Sequence, residues 1–294
     1  MPELGSPSVS RRRLAAELRR LREERNLTGE DVAESLGWSA SKLSRIELAR
    51  TGIKAVDLAS LLTKYGLPED HRAELLRLVA QPRTRGWWKT YSDSMPEKFA
   101  TYIVMESEAE SISGWSPELV PGLLQTQHYA RAAIDAHMAA TSSISPSEVE
   151  RRVETRLKRQ GILTSEQPTT LVSVLDESVL LRHLKSAEVM RDQLAHLIEI
   201  AELPNVTVRV LPLGGPHPIG TGAFMLLRFA PIPEIGPVSD IVYLEQLSGS
   251  ALYIDDDAET HQYELGFGRL VAESLEPDES RDLITRMRCD RWSL

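Results

Sequence analysis

The sequence predicts a mainly α protein with an α+β second domain. Three observations carry this. At 294 residues the chain exceeds the ~100–200 residues that one core usually organises. Between residues 10 and 80 the apolar residues recur at helical spacing, interrupted by short turns. Short runs rich in β-branched and aromatic residues come only later, among further helical patterns. The expectation is an N-terminal head of five helices, then a C-terminal domain of helices plus a small, mostly antiparallel or mixed sheet. Residues 1–10 are expected to form a flexible N-terminus, 11–82 the head and 86–294 the second domain.

In the head, Leu14, Leu18 and Leu21 gather on one face of a helix from Arg12 to Arg25. Leu27 buries the following turn. Thr28, with Asp31 three residues on, resembles a capping box and opens a second helix through Leu36. Gly37 stops that helix at little cost, because glycine enters the left-handed conformation without a Cβ clash; Ser39 is a good N-cap for a third helix to about Leu48. Val56, Leu58, Ala59, Leu61 and Leu62 mark a fourth helix from Ala55 to Lys64, ending at Gly66. Pro68 suits the first turn of a fifth, which ends near Ala80.

After Gln81 to Arg85 the composition turns acidic. Helices are expected at about 96–113, 126–139 and 146–163, the last opened by Ser145-Pro146-Ser147-Glu148. Leu171–Leu175, Val206–Leu211, Phe224–Phe229, Ile241–Leu244 and Ala251–Ile254 read as strands bounded by Pro, Gly, Asn and Asp. A helix from Ser186 to Leu203 separates the first two strands, and helices at about 258–275 and 279–290 follow the last.

The formal charge of −9 is unevenly spread. Residues 1–85 hold 16 Lys+Arg against 12 Asp+Glu, a balance of +4, whereas 86–294 hold 18 against 31, a balance of −13. An acidic body repels phosphate, so only the head suits a nucleic acid. No apolar run approaches the ~20 residues of a membrane span, and Met1 to Ser10 lacks the apolar stretch of a signal peptide; a cytoplasmic protein without membrane contact is expected. Cys289, the sole cysteine, excludes an intrachain disulfide and any multi-cysteine zinc site.

B-DNA's major groove admits one α-helix, and a short helix braced by another brings three or four side chains to base edges. Residues 28–47 have that arrangement. Leu27-Thr28, Val32-Ala33, Leu36-Gly37, Ser44-Arg45-Ile46-Glu47 and the helix from 55 resemble the XRE or phage-repressor class of helix-turn-helix heads, over about seventy residues. The resemblance implies that Ala33 lets the two helices cross closely and that Leu36, Leu43 and Ile46 set their angle. It implies that Ser39 caps the recognition helix and meets phosphate, that Ala40, Ser41 and Arg45 face bases, and that Lys42 meets phosphate or a base edge. Ser44 belongs to the same DNA-binding set, and Arg50 and Lys54 look placed for phosphates, with Arg11 to Arg13 as a basic arm. Many members carry glutamine where this chain has Gly29, so that contact is either missing or comes from Thr28 or a main-chain N–H. Arg19, Arg20 and Arg22, like Arg151, Arg152, Arg156 and Arg159, read as solvated helix faces.

The second half resembles, over nearly its whole length, the antitoxin-like domain found behind such heads in actinobacterial regulators. The matching residues are Glu106 with Ala109, Leu119 to Thr126, Tyr129-Ala130-Arg131, Arg156-Leu157, Arg159-Gln160, Asp176-Glu177, Leu180, Met190-Arg191, Gln193-Leu194, Pro204-Asn205-Val206, Val242 to Glu245 and Glu279-Ser280. Candidate partner- or ligand-binding positions are Glu106, Pro121, Gly122, Leu123, Gln125 and His217, because binding residues gather on connections such as Pro121-Gly122-Leu123 and Gly214 to Pro218. The same prolines and glycines are equally explained as turn formers. Trp87-Trp88 reads as packing at the domain junction, and Asp255 to Asp257 as a helix-opening turn rather than a cation site. The seven histidines are scattered, and no Gly-x-Ser-x-Gly elbow or phosphate-cradling loop occurs, so no catalysis, metal or cofactor is expected.

Together these readings imply a sequence-specific DNA-binding transcriptional regulator. It would bind operator half-sites in double-stranded DNA as a homodimer, with the second domain dimerising and sensing a small partner protein or small-molecule effector. The alternative is an antitoxin-like interaction protein that binds a small basic partner and autoregulates its operon.

Overall fold

The computed structural model describes residues 9–80, 97–141, 145–231, 239–246 and 251–292. Residues 1–8 of the expected flexible N-terminus, the boundary near 85 and Trp87-Trp88 lie outside the described residues. The chain divides into two compact units.

The first unit holds α1 (Val9–Glu24), α2 (Gly29–Ser35), α3 (Ala40–Glu47), α4 (Ala55–Lys64) and α5 (Glu69–Ala80). The expected leucine faces supply the core: Leu18, Leu58, Leu61 and Leu62 are fully buried beside Leu14, Leu21, Val32, Leu43, Ile46 and Leu75. Each such burial stabilises the head by ~1.5–3 kcal/mol relative to exposure. α1 begins three residues before Arg12, since nothing from Val9 to Arg13 is Gly or Pro and arginine is a good helix former. Arg11 to Arg13 are therefore part of a helix and not a basic arm.

The second unit comprises α6 (Glu97–Glu108), β1 (Ser111–Ser116), α7 (Gln127–Thr141), α8 (Pro146–Arg159), β2 (Thr170–Asp176), α9 (Glu177–Leu181), α10 (Ala187–Ile200), β3 (Val206–Leu211), β4 (Phe224–Arg228), β5 (Ile241–Glu245), β6 (Ala251–Ile254), α11 (Asp257–Glu273) and α12 (Pro277–Asp290). The strands form one mixed sheet in the order β3-β2-β1-β4-β5-β6. β1, β2 and β3 run parallel, with Ile112 beside Leu171 and Leu171 beside Val206. β4, β5 and β6 add antiparallel pairs, with Ile112 also beside Leu227.

The helix expected to reach 113 stops at Glu108, and β1 takes the centre of the sheet. Its side chains alternate between two covered faces, and Gly114 meets Met225 so closely that an added Cβ would lie 2.6 Å from the Met225 Sδ. That packing, absent from a local reading, decides the segment for strand. One sheet face carries Trp115, Val174, Phe224, Leu226 and Val242 against Phe267 and Leu270 of α11. On the other, Tyr102 of α6 stacks on Tyr243 with ring centroids 4.0 Å apart.

The β3 edge is covered by the chain leading into α12. Leu275 N–H donates to Val210 O at 2.9 Å, and Val210 N–H donates to Ser280 Oγ at 3.0 Å, which removes an open ladder edge. Arg209, 8% exposed, adds hydrogen bonds to Ser274 and Glu276. Asp256 Oδ1 accepts from Ala258 and Glu259 N–H, so Asp255 to Asp257 do open a helix.

Candidate nucleic-acid interface

Local chemistry sets the relation of α2 to α3. Thr28 Oγ1 accepts from Asp31 N–H at 3.1 Å, fastening the start of α2. At its end Gly37 takes φ +66°, while Gly37 N–H donates to Glu34 O and Trp38 N–H to Ala33 O, the paired bonds of a Schellman motif. Ser39 Oγ then accepts from Lys42 N–H at 3.1 Å and opens α3. Ala33, 1% exposed, belongs to the core of the head.

α3 buries Leu43 and Ile46 and leaves Ala40, Ser41, Ser44 and Arg45 exposed. At helical spacing the four exposed residues share one face. Arg45 is exposed, and its guanidinium donates through Nε to Ser41 O of its own helix at 3.2 Å. Arg50 and Lys54 follow on the surface between α3 and α4, where Ala49, at φ +56°, turns the chain.

Lys42 differs from these. Its ammonium sits 3.0 Å from Asp57 Oδ2 of α4 and 3.9 Å from the centre of the Trp38 ring. The cation ties α3 to α4 in this structure. Arg22 also departs from the solvated-face expectation: half-buried, it pairs with Glu47 of α3 and donates to Leu27 O. Arg19 and Arg20 are exposed and pair with Glu23, Glu17 and Glu24. Beside α3, Arg19, Thr28, Gly29, Ala40, Ser44 and Leu48 border an open notch of about 460 Å³. A Cβ added at Gly29 would meet only Leu43 Cδ2 at 4.0 Å, so the missing side chain leaves real space there.

In the second unit, Glu106 is 1% exposed and its two carboxylate oxygens each lie 2.7 Å from Arg159 donors. Pro121, Leu123 and Gln125 are buried, and Gly122 half-buried, around a single 3-10 turn. Gln160 donates to Gly122 O and Gln125 O, Gln193 donates to Leu124 O and accepts from Thr126 N–H, and Arg156 donates to Gln125 Oε1. The structure thus brings Gly122 and Gln125 into one hydrogen-bonded cluster, and the Arg159 that holds Glu106 packs beside Gly122. His217 is elsewhere, exposed and edge-on to Trp115 with ring centroids 5.7 Å apart.

The expected solvated face of α8 is corrected here. Arg152, Arg156 and Arg159 recur at helical spacing, but Arg159 is 5% exposed and Arg156 half-buried, because that face packs on the Glu106 and Gly122 region. Spacing alone could not tell a cationic face turned inward from one turned to water. Burial also pushes the Tyr102 and Tyr243 phenols, stacked beside this cluster, well above their usual range.

Comparison with known families agrees with the two-unit division. Residues 13–75 match a helix-turn-helix domain. Residues 99–286 match the family described as Domain of unknown function (DUF5753). The chain belongs to the DUF5753 family. No curated protein and no solved structure matches it. The DUF5753 region contains the sheet and all the hydrogen-bonded cluster around Gln125, while the helix-turn-helix match covers α2 and α3 with their exposed face. The helix-turn-helix match supports a DNA-binding regulator. Among the described residues no helix is long and apolar enough to cross a membrane, and no group of three or more His, Cys, Asp or Glu is placed to hold a metal ion.

Proposed function

We propose that this DUF5753 protein is a sequence-specific transcriptional regulator of XRE type that reads DNA with α3. The observation that carries the reading is the exposed face of Ala40, Ser41, Ser44 and Arg45 on a helix capped by Ser39 and tied at its other end by Glu47 to Arg22. A helix offered this way fits the major groove with its first turns toward base edges. Arg45 supplies the discriminating donor, a guanidinium able to grip guanine in a bidentate way; Ala40 offers a methyl contact and Ser41 and Ser44 hydroxyls. Arg50 and Lys54 hold phosphates. The protein acts as a homodimer on half-sites about one helical turn, ~34 Å, apart. The DUF5753 region dimerises and receives a signal rather than catalysing a reaction.

The test is selection of bound duplexes from a random pool by the full chain and by Arg45→Ala. Enrichment of a two-fold-related sequence, with one position per half-site lost in the variant, is expected. An unchanged preferred sequence in Arg45→Ala would overturn the placement of α3.

A further inference from the structure

The arginines of α8 are unequally matched. Arg152 pairs with Glu148 at 2.9 Å, and Arg159 grips Glu106 with two bonds of 2.7 Å. Arg156, between them, has no carboxylate within ion-pair distance among the described residues; its hydrogen bond goes to the neutral amide oxygen of Gln125, at 2.8 Å. A guanidinium carries five N–H donors in a planar fork suited to an oxyanion. Here one is accounted for.

The surroundings disfavour this cation as it stands. Burial and the charge of Arg159 bring its pKa down to about 10, with Arg152 adding to the effect and Glu245 opposing it. Arg156 and Arg182 both act on Tyr129 as positive neighbours. Gly122 is overlaid by the Arg156 stem and the Arg159 head: a Cβ there would sit 3.6 Å from Arg156 Cγ and 3.4 Å from Arg159 Nη1. An enclosed charge of this kind is ordinarily matched by an opposite charge or neutralised. The half-buried side chain keeps part of its surface open, so that match is able to come from outside the chain.

We propose that Arg156 is the anchor of an oxyanion site in the DUF5753 region, taking the carboxylate or phosphate group of a small ligand. The site lies among Gly122, Gln125, Arg156 and Gln160, and the ligand's anion completes the charge balance that Glu106 and Glu148 provide for Arg159 and Arg152. The assignment rests on this region's own geometry; it gives chemical content to the signal proposed above but does not need the head to bind DNA.

The experiment uses the full chain without DNA. Thermal unfolding is followed while inorganic phosphate or acetate is raised against chloride at constant ionic strength, for the wild type, Arg156→Gln and Arg156→Lys. A saturable rise in the wild-type midpoint is expected with one anion or both, the stronger of the two distinguishing phosphate from carboxylate ligands. Arg156→Gln should weaken the apparent affinity about tenfold or more, the range for a charged hydrogen-bonded contact. Arg156→Lys, which keeps the charge without the fork, should fall between. No saturable rise with either anion in the wild type, or an undiminished rise in Arg156→Gln, would overturn the site. Neither result would bear on DNA selection by α3.

Discussion

Arg22 Nε and Nη2 hold the two oxygens of Glu47 at 2.8 and 2.9 Å, joining α1 to the end of α3. The carboxylate is 8% exposed and the guanidinium side chain 14%. The same arginine donates to Leu27 O, so one side chain fastens α1, the turn before α2 and the end of α3. The bond to Glu47 is the main reason the Arg22 pKa lies above its usual value.

Arg22→Ala leaves the Glu47 carboxylate without its partner in a site largely closed to water. Breaking a buried pair costs ~3–5 kcal/mol, and the partial exposure of this one brings the expectation to about 2–3 kcal/mol. Chemical denaturation should show that loss, and binding should weaken for every DNA sequence alike. A double-mutant cycle with Glu47→Ala that gives no coupling energy would refute the brace.

Arg45→Ala should cost ~1–3 kcal/mol of discrimination at one base position. Arg50→Ala and Lys54→Ala should instead weaken all DNA binding and reduce the slope of log affinity against log salt by about one each. Lys42→Ala should change that slope less, because the ammonium is already held by Asp57 and Trp38; its effect should be a lower unfolding midpoint. A slope change as large as that of Arg50→Ala would mean that Lys42 leaves Asp57 for phosphate.

Gly37→Ala tests the turn. Nothing lies within 4 Å of an added Cβ, so steric crowding is absent and only the positive φ opposes the substitution. The expected cost is ~1–2 kcal/mol, with Gly37→Asn costing less because asparagine tolerates this conformation. An unchanged denaturation midpoint in Gly37→Ala would show that the turn relaxes without penalty.

His196 sets a pH dependence. Its Nε2 is buried without a hydrogen-bond partner among the described residues, and burial lowers its pKa below the ordinary 6.5. The unfolded chain therefore takes up a proton before the folded one does. This contribution to stability is present above about pH 6.5 and is lost as the pH falls through the folded-state value. Unfolding midpoints measured from pH 8 to 5 should fall, and His196→Gln should flatten part of that fall. Identical profiles would assign it to other groups.

The head was legible because its signals are local. Leucine spacing, the capping residues Thr28 and Ser39 and the φ requirement at Gly37 act within a few residues, and α4 has the bounds its apolar pattern predicts. The strands at Val206–Leu211 and Ala251–Ile254 were equally plain from their composition. β1 was not, since Ser111 to Ser116 becomes a strand through pairing with β2 and β4, far away in sequence. The short α9 also escaped notice, although Asp176 caps it through Ser178 N–H.

The helices and turns of the head and the charge asymmetry between the two halves follow from spacing and side-chain chemistry, whereas the outward set on α3 was implied by the helix-turn-helix resemblance. Only the tertiary structure decided what each cation does. Arg22 bonds to Glu47, Lys42 to Asp57 and Arg159 to Glu106, while among the described residues Arg156 bonds to the neutral Gln125. Periodicity places arginines on one side of a helix but cannot say what packs there. The inward or outward direction of a charged face depends on partners fifteen to more than fifty positions away, brought within hydrogen-bond distance only by folding.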